Sequence, residues 1–146
     1  VVNRDKVVEV GVKVLEGAHR GLLTLTGGRF PHRMLGMEAV ELHTIGRTSG
    51  QRRSAMLTAP IFEPDRVVLV ASKGGHTRHP DWYLNLVAHP EVELTIRGET
   101  RPFTARTASA EEKAELWPRI VSTYRGYASY QKATDRDIPV VICEPR

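Results

Sequence analysis

The stretch 38-EAVELHTIGRTSGQRRSAMLTAPIFEPDRVVLVAS-72 holds three extended runs separated by two turns. In residues 38–45 polar and apolar positions roughly alternate, Val40, Leu42 and Thr44 against Glu41, His43 and Ile45, which is the period of a half-buried strand. Gly46 to Gly50 turn the chain and residues 53–62 resume an extended run. Glu63-Pro64-Asp65-Arg66 then turns it into residues 67–72, so this pairing of runs predicts a hairpin.

Downstream, Gly74 and Gly75 end the third strand, and Asp81 is placed to cap a short helix over residues 82–88. His89-Pro90 stops that helix, because the residue before proline disfavours the helical region. Residues 91–97 alternate Val92, Leu94 and Ile96 with Glu93, Thr95 and Arg97. Gly98-Glu99 turns them into residues 100–107, where Pro102 argues for an edge position. Ser109 with Glu112 forms a capping box that starts a helix at Ala110, and Pro118 predicts a kink or restart within it. Tyr124, Tyr127 and Tyr130 share one broad face if helical. A last strand covers residues 138–143.

Upstream, Val7, Val8, Val14, Leu15, Ala18 and Leu22 form an apolar stripe with Lys6, Lys13, Glu16 and Arg20 largely off it, predicting an amphipathic helix within residues 1–24. Packing on its own domain is the favoured role for this helix, and a peripheral position on a membrane surface stays open. Gly27 and Gly28 break the pattern before a basic loop of Arg29, His32 and Arg33 around Pro31. The whole predicts one domain over residues 1–146, mainly β with inserted helices: a small closed or nearly closed antiparallel barrel of about six strands.

Composition sets outer limits. The 146 residues are 40% hydrophobic and carry a net charge of +4, enough for one core and a modest preference for acidic ligands. Cys143 is the single cysteine, so an internal disulfide and a cysteine-based zinc site are excluded. A reducing cytosol suits this usage, and the chain reads as a trimmed or partial cytoplasmic protein. Basic residues do not gather on one helix, which argues against nucleic-acid binding.

The familiar catalytic signatures are missing. Gly46 to Gly50 is one residue short of a phosphate loop and lacks the Gly-Lys-Ser/Thr that follows one, and no GxSxG elbow is present. His76, His79 and Asp81 match no standard metal spacing, and Cys143 in an apolar strand reads as packing. What remains is a set of ligand-holding groups. Arg47, Thr48, Ser49, Arg52 and Arg53 crowd one turn, where hydroxyls, backbone donors and guanidinium forks meet phosphate or carboxylate. Lys73 leaves a strand beside two glycines. Trp82 and Tyr83 either stack on a ring or fill the core under their helix, with core packing favoured for Trp82. Three phenols flanked by Gly126 and Ser129 look more like a lid over a pocket than an aliphatic core stripe.

The segments TIGRTSGQRRSAML, VLVASKGGHTRHPDWYLNLVAHPEVEL and YRGYASYQKATDRDIPVVICEP together resemble the deazaflavin-dependent nitroreductase family of actinobacteria, which includes quinone reductases using reduced coenzyme F420. The likeness runs from about Leu25 onward. It implies a split β-barrel related to that of flavin-mononucleotide oxidases, with the deazaflavin in a groove. The family's ligand carries a phosphate and an oligoglutamate tail, which Arg47, Arg53 and Lys73 suit by charge. Carried over by position, cofactor contacts fall on Thr48, Ser49 and Gly50, on Ser54, Ala55, Met56, Leu57, Thr58 and Ala59, on Val70, Ala71, Ser72 and Lys73, and on Asp81, Trp82, Tyr83, Leu84 and Asn85. Ser72 with Tyr124, Tyr127 and Tyr130 matches the catalytic and substrate pocket. Arg52 stands where a proline is frequent, and Ala59 where some nitroreductases carry an aromatic residue. The implied reaction is hydride transfer from reduced coenzyme F420 to a quinone or a nitroaromatic acceptor. A flavin-mononucleotide oxidoreductase on the same barrel and a non-catalytic deazaflavin carrier are the alternatives.

Overall fold

The computed structural model describes residues 33–146, so the expected N-terminal helix, the Gly27-Gly28 break and the Arg29 and His32 part of the basic loop lie outside the described residues. Eight strands are described: β1 (Arg33–Met34), β2 (Met37–Ile45), β3 (Arg52–Ala59), β4 (Ile61–Glu63), β5 (Arg66–Val70), β6 (Glu91–Ile96), β7 (Glu99–Thr107) and β8 (Val140–Pro145). Three helices accompany them: α1 (Asp81–Ala88), α2 (Ala110–Thr123) and α3 (Gly126–Lys132). The six expected runs are all extended, one of them divided into β3 and β4, and β1 is an addition of two residues.

All pairings are antiparallel, in the order β1-β2-β6-β7-β8-β5-β4, with β3 on the other side of β2. The expected run over residues 53–62 is therefore two strands divided at Pro60. Its first part pairs with β2 at one end of the sheet and its second with β5 at the other. Covalent continuity through Pro60 curls the sheet into a split barrel, while β3 pairs with β2 along one edge and, among the described strands, with no strand along the other.

Two apolar layers follow from strand alternation. Val40, Leu42, Val67, Leu69, Val92, Leu94, Val141 and Cys143 fill the barrel interior together with Leu86 from α1. Val68, Val70, Val140 and Ile142 point the other way, under Leu116 and Ile120 of α2 and Tyr127 of α3. The registers Leu69↔Val141 and Val68↔Ile142 put like faces together. Strands β5 and β8 are thus buried on both sides, which is why their sequences are nearly unbroken Val, Ile and Leu.

Three local expectations change. Pro102 is not on an edge strand, since β7 lies between β6 and β8. Its carbonyl accepts from the Arg146 amide at 3.1 Å, so its nitrogen faces the side where β8 is ending, and no bond to β6 is lost. Asp81 is the first helical residue and not the cap; Pro80 occupies the N-cap without a side-chain bond. Pro118 neither ends nor restarts its helix, which runs on through Thr123 with the capping box of Ser109 and Glu112 at one end and buried Leu116 and Ile120 on either side of the proline.

Two hairpins share a turn geometry. Leu35-Gly36 joins β1 to β2 and Arg97-Gly98 joins β6 to β7, all four residues having positive φ. That is the left-handed pair a two-residue hairpin needs. Arg97 uses its place at the tip to donate two hydrogen bonds, at 2.7 and 3.2 Å, to the carboxylate of Glu38, which is only 4% exposed. The two tips are therefore braced against each other.

Leu94→Ala, which empties a fully buried site in the barrel, is expected to cost about 2–5 kcal/mol, read as a lower urea midpoint at unchanged slope. Val87→Ala, on the exposed side of α1, is expected to stay within about 0.5 kcal/mol of the parent.

Candidate functional site

A groove of about 780 Å³ opens along the free side of β3. Residues Arg53, Ser54, Ala55, Met56, Leu57 and Thr58 all line it, one after another. A strand that presented only one face would contribute alternate residues. A continuous run of lining residues means that the groove follows the strand's edge, where backbone N–H and C=O groups point outward. Such an edge offers an in-plane ladder of donors and acceptors to a flat heterocycle.

One end of the groove is cationic. The loop after β2 closes on itself through the Gly46 amide to the Gln51 carbonyl and the Gly50 amide to the Gly46 carbonyl, both 2.8 Å. Helix α1 latches that loop. The Asn85 carboxamide oxygen accepts from the Arg47 amide at 3.1 Å and from its guanidinium at 2.9 Å, and Asp81, one turn earlier, takes the same guanidinium at 3.2 Å. Arg53 reaches toward the Ser49 hydroxyl at 3.5 Å, and Thr48, Ser49, Lys73, Asp81, Trp82 and Asn85 complete this part of the lining. Asn85 is only 4% exposed and also donates to Thr44, so it holds the loop in place as well as facing the groove.

The opposite wall is aromatic. Tyr124 is the C-cap of α2, while Tyr127 and Tyr130 lie on α3, so the three do not share one continuous helix. Their rings nonetheless form one cluster, with centroids 5.2, 6.4 and 6.2 Å apart. All three line the groove, and Tyr127, 5% exposed, also belongs to the outer apolar layer. Lid and core are the same residues here. The Tyr127 hydroxyl lies 3.3 Å from Thr58 on β3 and donates to Met37 at 3.7 Å, and the Tyr124 and Tyr130 hydroxyls are 3.4 Å apart. Burial pushes the Tyr127 phenol up, and burial with its tyrosine neighbours pushes Tyr130 up to about 12. Both stay protonated and able to donate throughout the neutral range.

A single loop joins the two ends. Ser72, 8% exposed, is followed by Lys73, Gly74 and Gly75 with φ of 45°, 61° and 82°. A lysine in the left-handed region is strained, a feature that collects at ligand-holding segments. At Gly75 a Cβ would fall 2.8 Å from Ala133 and 3.0 Å from the Tyr130 carbonyl, so only glycine lets the loop press against α3. Arg136 fixes it from behind, donating to the carbonyls of Ala71, Ser72 and His76 at 3.2, 2.8 and 2.8 Å. It also donates to His79 Nδ1 at 3.0 Å, and burial with the Arg136 charge lowers the His79 pKa. His76 Nδ1 accepts from the Arg78 amide, so both histidines act within this loop.

Most residues singled out by resemblance meet in this groove: Arg47, Thr48, Ser49, Arg53 to Thr58, Val70, Ser72, Lys73, Asp81, Trp82, Asn85 and the three tyrosines. Gly50, Ala59, Ala71, Tyr83 and Leu84 lie outside the lining. Ala59 and Ala71 are 2% and 0% exposed, because they point into packed protein. Tyr83 instead packs on the core and pairs its hydroxyl with Thr107 at 2.9 Å. Trp82 packs on that core too, while still facing the groove. Arg52 points away, toward Glu93 at 3.3 Å. Met34, Leu35, Thr44, Leu69 and Pro80 are lining residues that the sequence reading missed, and the bracing Arg136 was missed too. For Leu35 a signal existed, an apolar residue before glycine at a hairpin turn; for Arg136 there was none. The Cys143 thiol is buried and pushed up to about 12, which leaves it inert.

Comparison with known proteins agrees with this geometry. A family model described as F420H(2)-dependent quinone reductase matches residues 7–145. An F420H(2)-dependent quinone reductase of Mycobacterium tuberculosis is 37% identical over 142 residues, covering 94% of this chain and 93% of the relative. A solved F420-H2 dependent reductase is 40% identical with a TM-score of 0.65, over 73% of this chain and 93% of that one. A heme-binding protein of Mycobacterium smegmatis, 16% identical over 76% of this chain and 47% of its own, shares the fold at a TM-score of 0.58. With a single model matching nearly its whole length and relatives of this identity, the chain belongs to the F420H(2)-dependent quinone reductase family.

Proposed function

We propose that this protein binds reduced coenzyme F420 in the groove beside β3 and reduces a quinone there. The observation that carries the reading is a single groove with a cationic end, a strand edge along its length and a wall of three phenols. A flat ring with a polyanionic tail fits this donor set. The tail faces Arg53, Lys73, Ser49 and the Arg47 loop, and the ring meets the backbone edge from Arg53 to Thr58. When bound, the reduced deazaflavin supplies a hydride, and hydride plus one proton takes a quinone carbonyl pair to the hydroquinone.

The chain's own part is orientation, exclusion of water and the proton. The Tyr130 hydroxyl, with Tyr124 beside it, donates to the acceptor oxygen as negative charge develops, and Ser72 lies across the same groove. The raised phenol pKa values keep that donor neutral. A nitroaromatic is a second acceptor class for the same wall, with Ala59 in the barrel core neither building nor blocking it. A lipid-soluble quinone also makes membrane contact through residues 1–24 part of this proposal. Among the described residues no helix is long and apolar enough to cross a membrane.

Titration with oxidised coenzyme, followed by its fluorescence, is expected to show saturable binding. Arg53→Glu is expected to weaken it by about tenfold or more, and Lys73→Gly, which removes the charge but keeps the left-handed backbone, by a similar factor. In stopped flow, a water-soluble menaquinone analogue is expected to oxidise the bound reduced coenzyme. Tight binding without oxidation by any acceptor would make the protein a carrier; no binding, with flavin absorbance in the purified protein, would favour flavin mononucleotide.

Tyr130→Phe is expected to lower kcat by about ten- to a hundredfold with little change in coenzyme affinity. The parent rate is expected to stay level through pH 10, where an ordinary phenol is half ionised. Because the folded phenols hold their protons more tightly than the unfolded ones, stability is unaffected below pH 10 and falls as pH rises from 10 toward 12. That alkaline loss is expected to be smaller in Tyr130→Phe, as measured by urea unfolding at each pH.

A further inference from the structure

The β1–β2 hairpin tip carries the one feature of the groove that the reading above does not use. Leu35 is 52% exposed, and with Met34 it lines the groove next to the tyrosine wall. Met34 pairs with Met37, whose sulfur receives the Tyr127 hydroxyl at 3.7 Å, so the tip stands directly beside that wall. It is held rigidly. Arg33 donates to the Gly36 carbonyl at 2.6 Å, and buried Glu38 takes Arg97 on its other side.

Leu35 is also in an unfavourable place. Its φ of 54° is the left-handed conformation for which Asn, Asp and Gly are preferred, and about half of the leucine stays exposed all the same. The equivalent position in the other hairpin, Arg97 at φ 52°, uses its side chain to bind Glu38. A strained and exposed leucine aimed into a ligand groove calls for an apolar occupant. The register sets Glu38, beside the hairpin, opposite Ala59 and sets Thr44 opposite Arg53, so the Arg53 and Arg47 end lies at the other end of β3 and the occupant here is not the charged tail of the coenzyme.

We infer that Met34 and Leu35 form an apolar subsite for the alkyl chain of the acceptor, making this hairpin the element that selects a quinone with an apolar tail over a bare ring. The inference rests on the quinone reading above for the identity of the acceptor. Its apolar surface acts on binding of the tail and not on the hydride step.

The test uses two probes, a decyl-substituted benzoquinone and the same ring with methyl in place of decyl. Leu35→Asn keeps the turn and removes the apolar surface; Leu35→Met keeps the apolar surface. In Leu35→Asn the decyl-to-methyl ratio of kcat/KM is expected to fall about tenfold with the melting temperature unchanged or raised, while Leu35→Met retains the ratio. An unchanged ratio in Leu35→Asn overturns the subsite. Quenching of intrinsic fluorescence by each quinone, without coenzyme, separates the two claims. If the parent shows no turnover yet binds the decyl compound about tenfold more tightly, and Leu35→Asn erases that preference, the redox reading fails and the subsite stands. Equal binding of both quinones by parent and variant overturns the subsite whatever the turnover.

Discussion

The open edge of β3 is the constraint from which the rest of the molecule follows. A strand edge leaves a row of backbone donors and acceptors without sheet partners, and proteins normally cover, shorten or charge such edges. Here β3 is eight residues long, pairs along its whole length with β2, and turns its other side to a groove. Pro60 makes that arrangement stable. By breaking the ladder at one residue it sends the following segment to pair with β5, so the barrel closes through the chain itself and not through hydrogen bonds to β3. Arg52 and Arg53 at the start of the edge add charges that discourage pairing with another strand.

Closing the barrel this way obliges β5 and β8 to be apolar on both faces, and that double burial decides what surrounds the groove. Their outer faces need a cover, supplied by Leu116 and Ile120 of α2 and by Tyr127. The tyrosine wall is therefore an extension of a packed layer and inherits its rigidity. Polar pins fix its position: Lys113 donates to Gln131 and to the Ile138 carbonyl at 3.0 and 2.8 Å, and Gln131 in turn takes the Ile138 amide and gives to the Arg136 carbonyl. Gly75 then brings the Ser72 loop within touching distance of α3.

What could be read from residues alone followed the range of the interactions involved. Strands with period-two alternation, the capping box at Ser109 and the turns at glycine are local, and each lies within a residue or two of its expected place. Pro102 was misplaced because its tolerance depends on where β8 ends, a contact with Arg146 more than forty positions away. The break at Pro60 is likewise invisible locally, since both halves of the run remain extended and only their partners differ. For the site, most of the segments named by the resemblance converge on one groove, but the resemblance treated contiguous blocks as contacts. Ala59 and Ala71 sit in those blocks and point into packed protein. Asn85 was assigned to the ligand, while its hydrogen bonds show it first holding Arg47. Arg136, which ties three carbonyls of the loop, carries no sequence mark apart from its charge.

The two ends of the groove also divide the electrostatic labour. At the cationic end Arg47 is clamped by Asn85 and Asp81 of α1, and the Arg53 side chain is exposed beside Ser49. At the aromatic end burial withdraws water, and the same desolvation that raises the phenol pKa values makes any hydrogen bond to a developing oxyanion stronger than it would be in solvent. A negative tail bound among the phenols would lose its solvation without a cation to replace it. An apolar acceptor lying among the arginines would strip water from charges and gain nothing. Polarity alone thus sets what each end suits: the cationic end a polyanionic group, the aromatic end an apolar acceptor, with the β3 edge running between them.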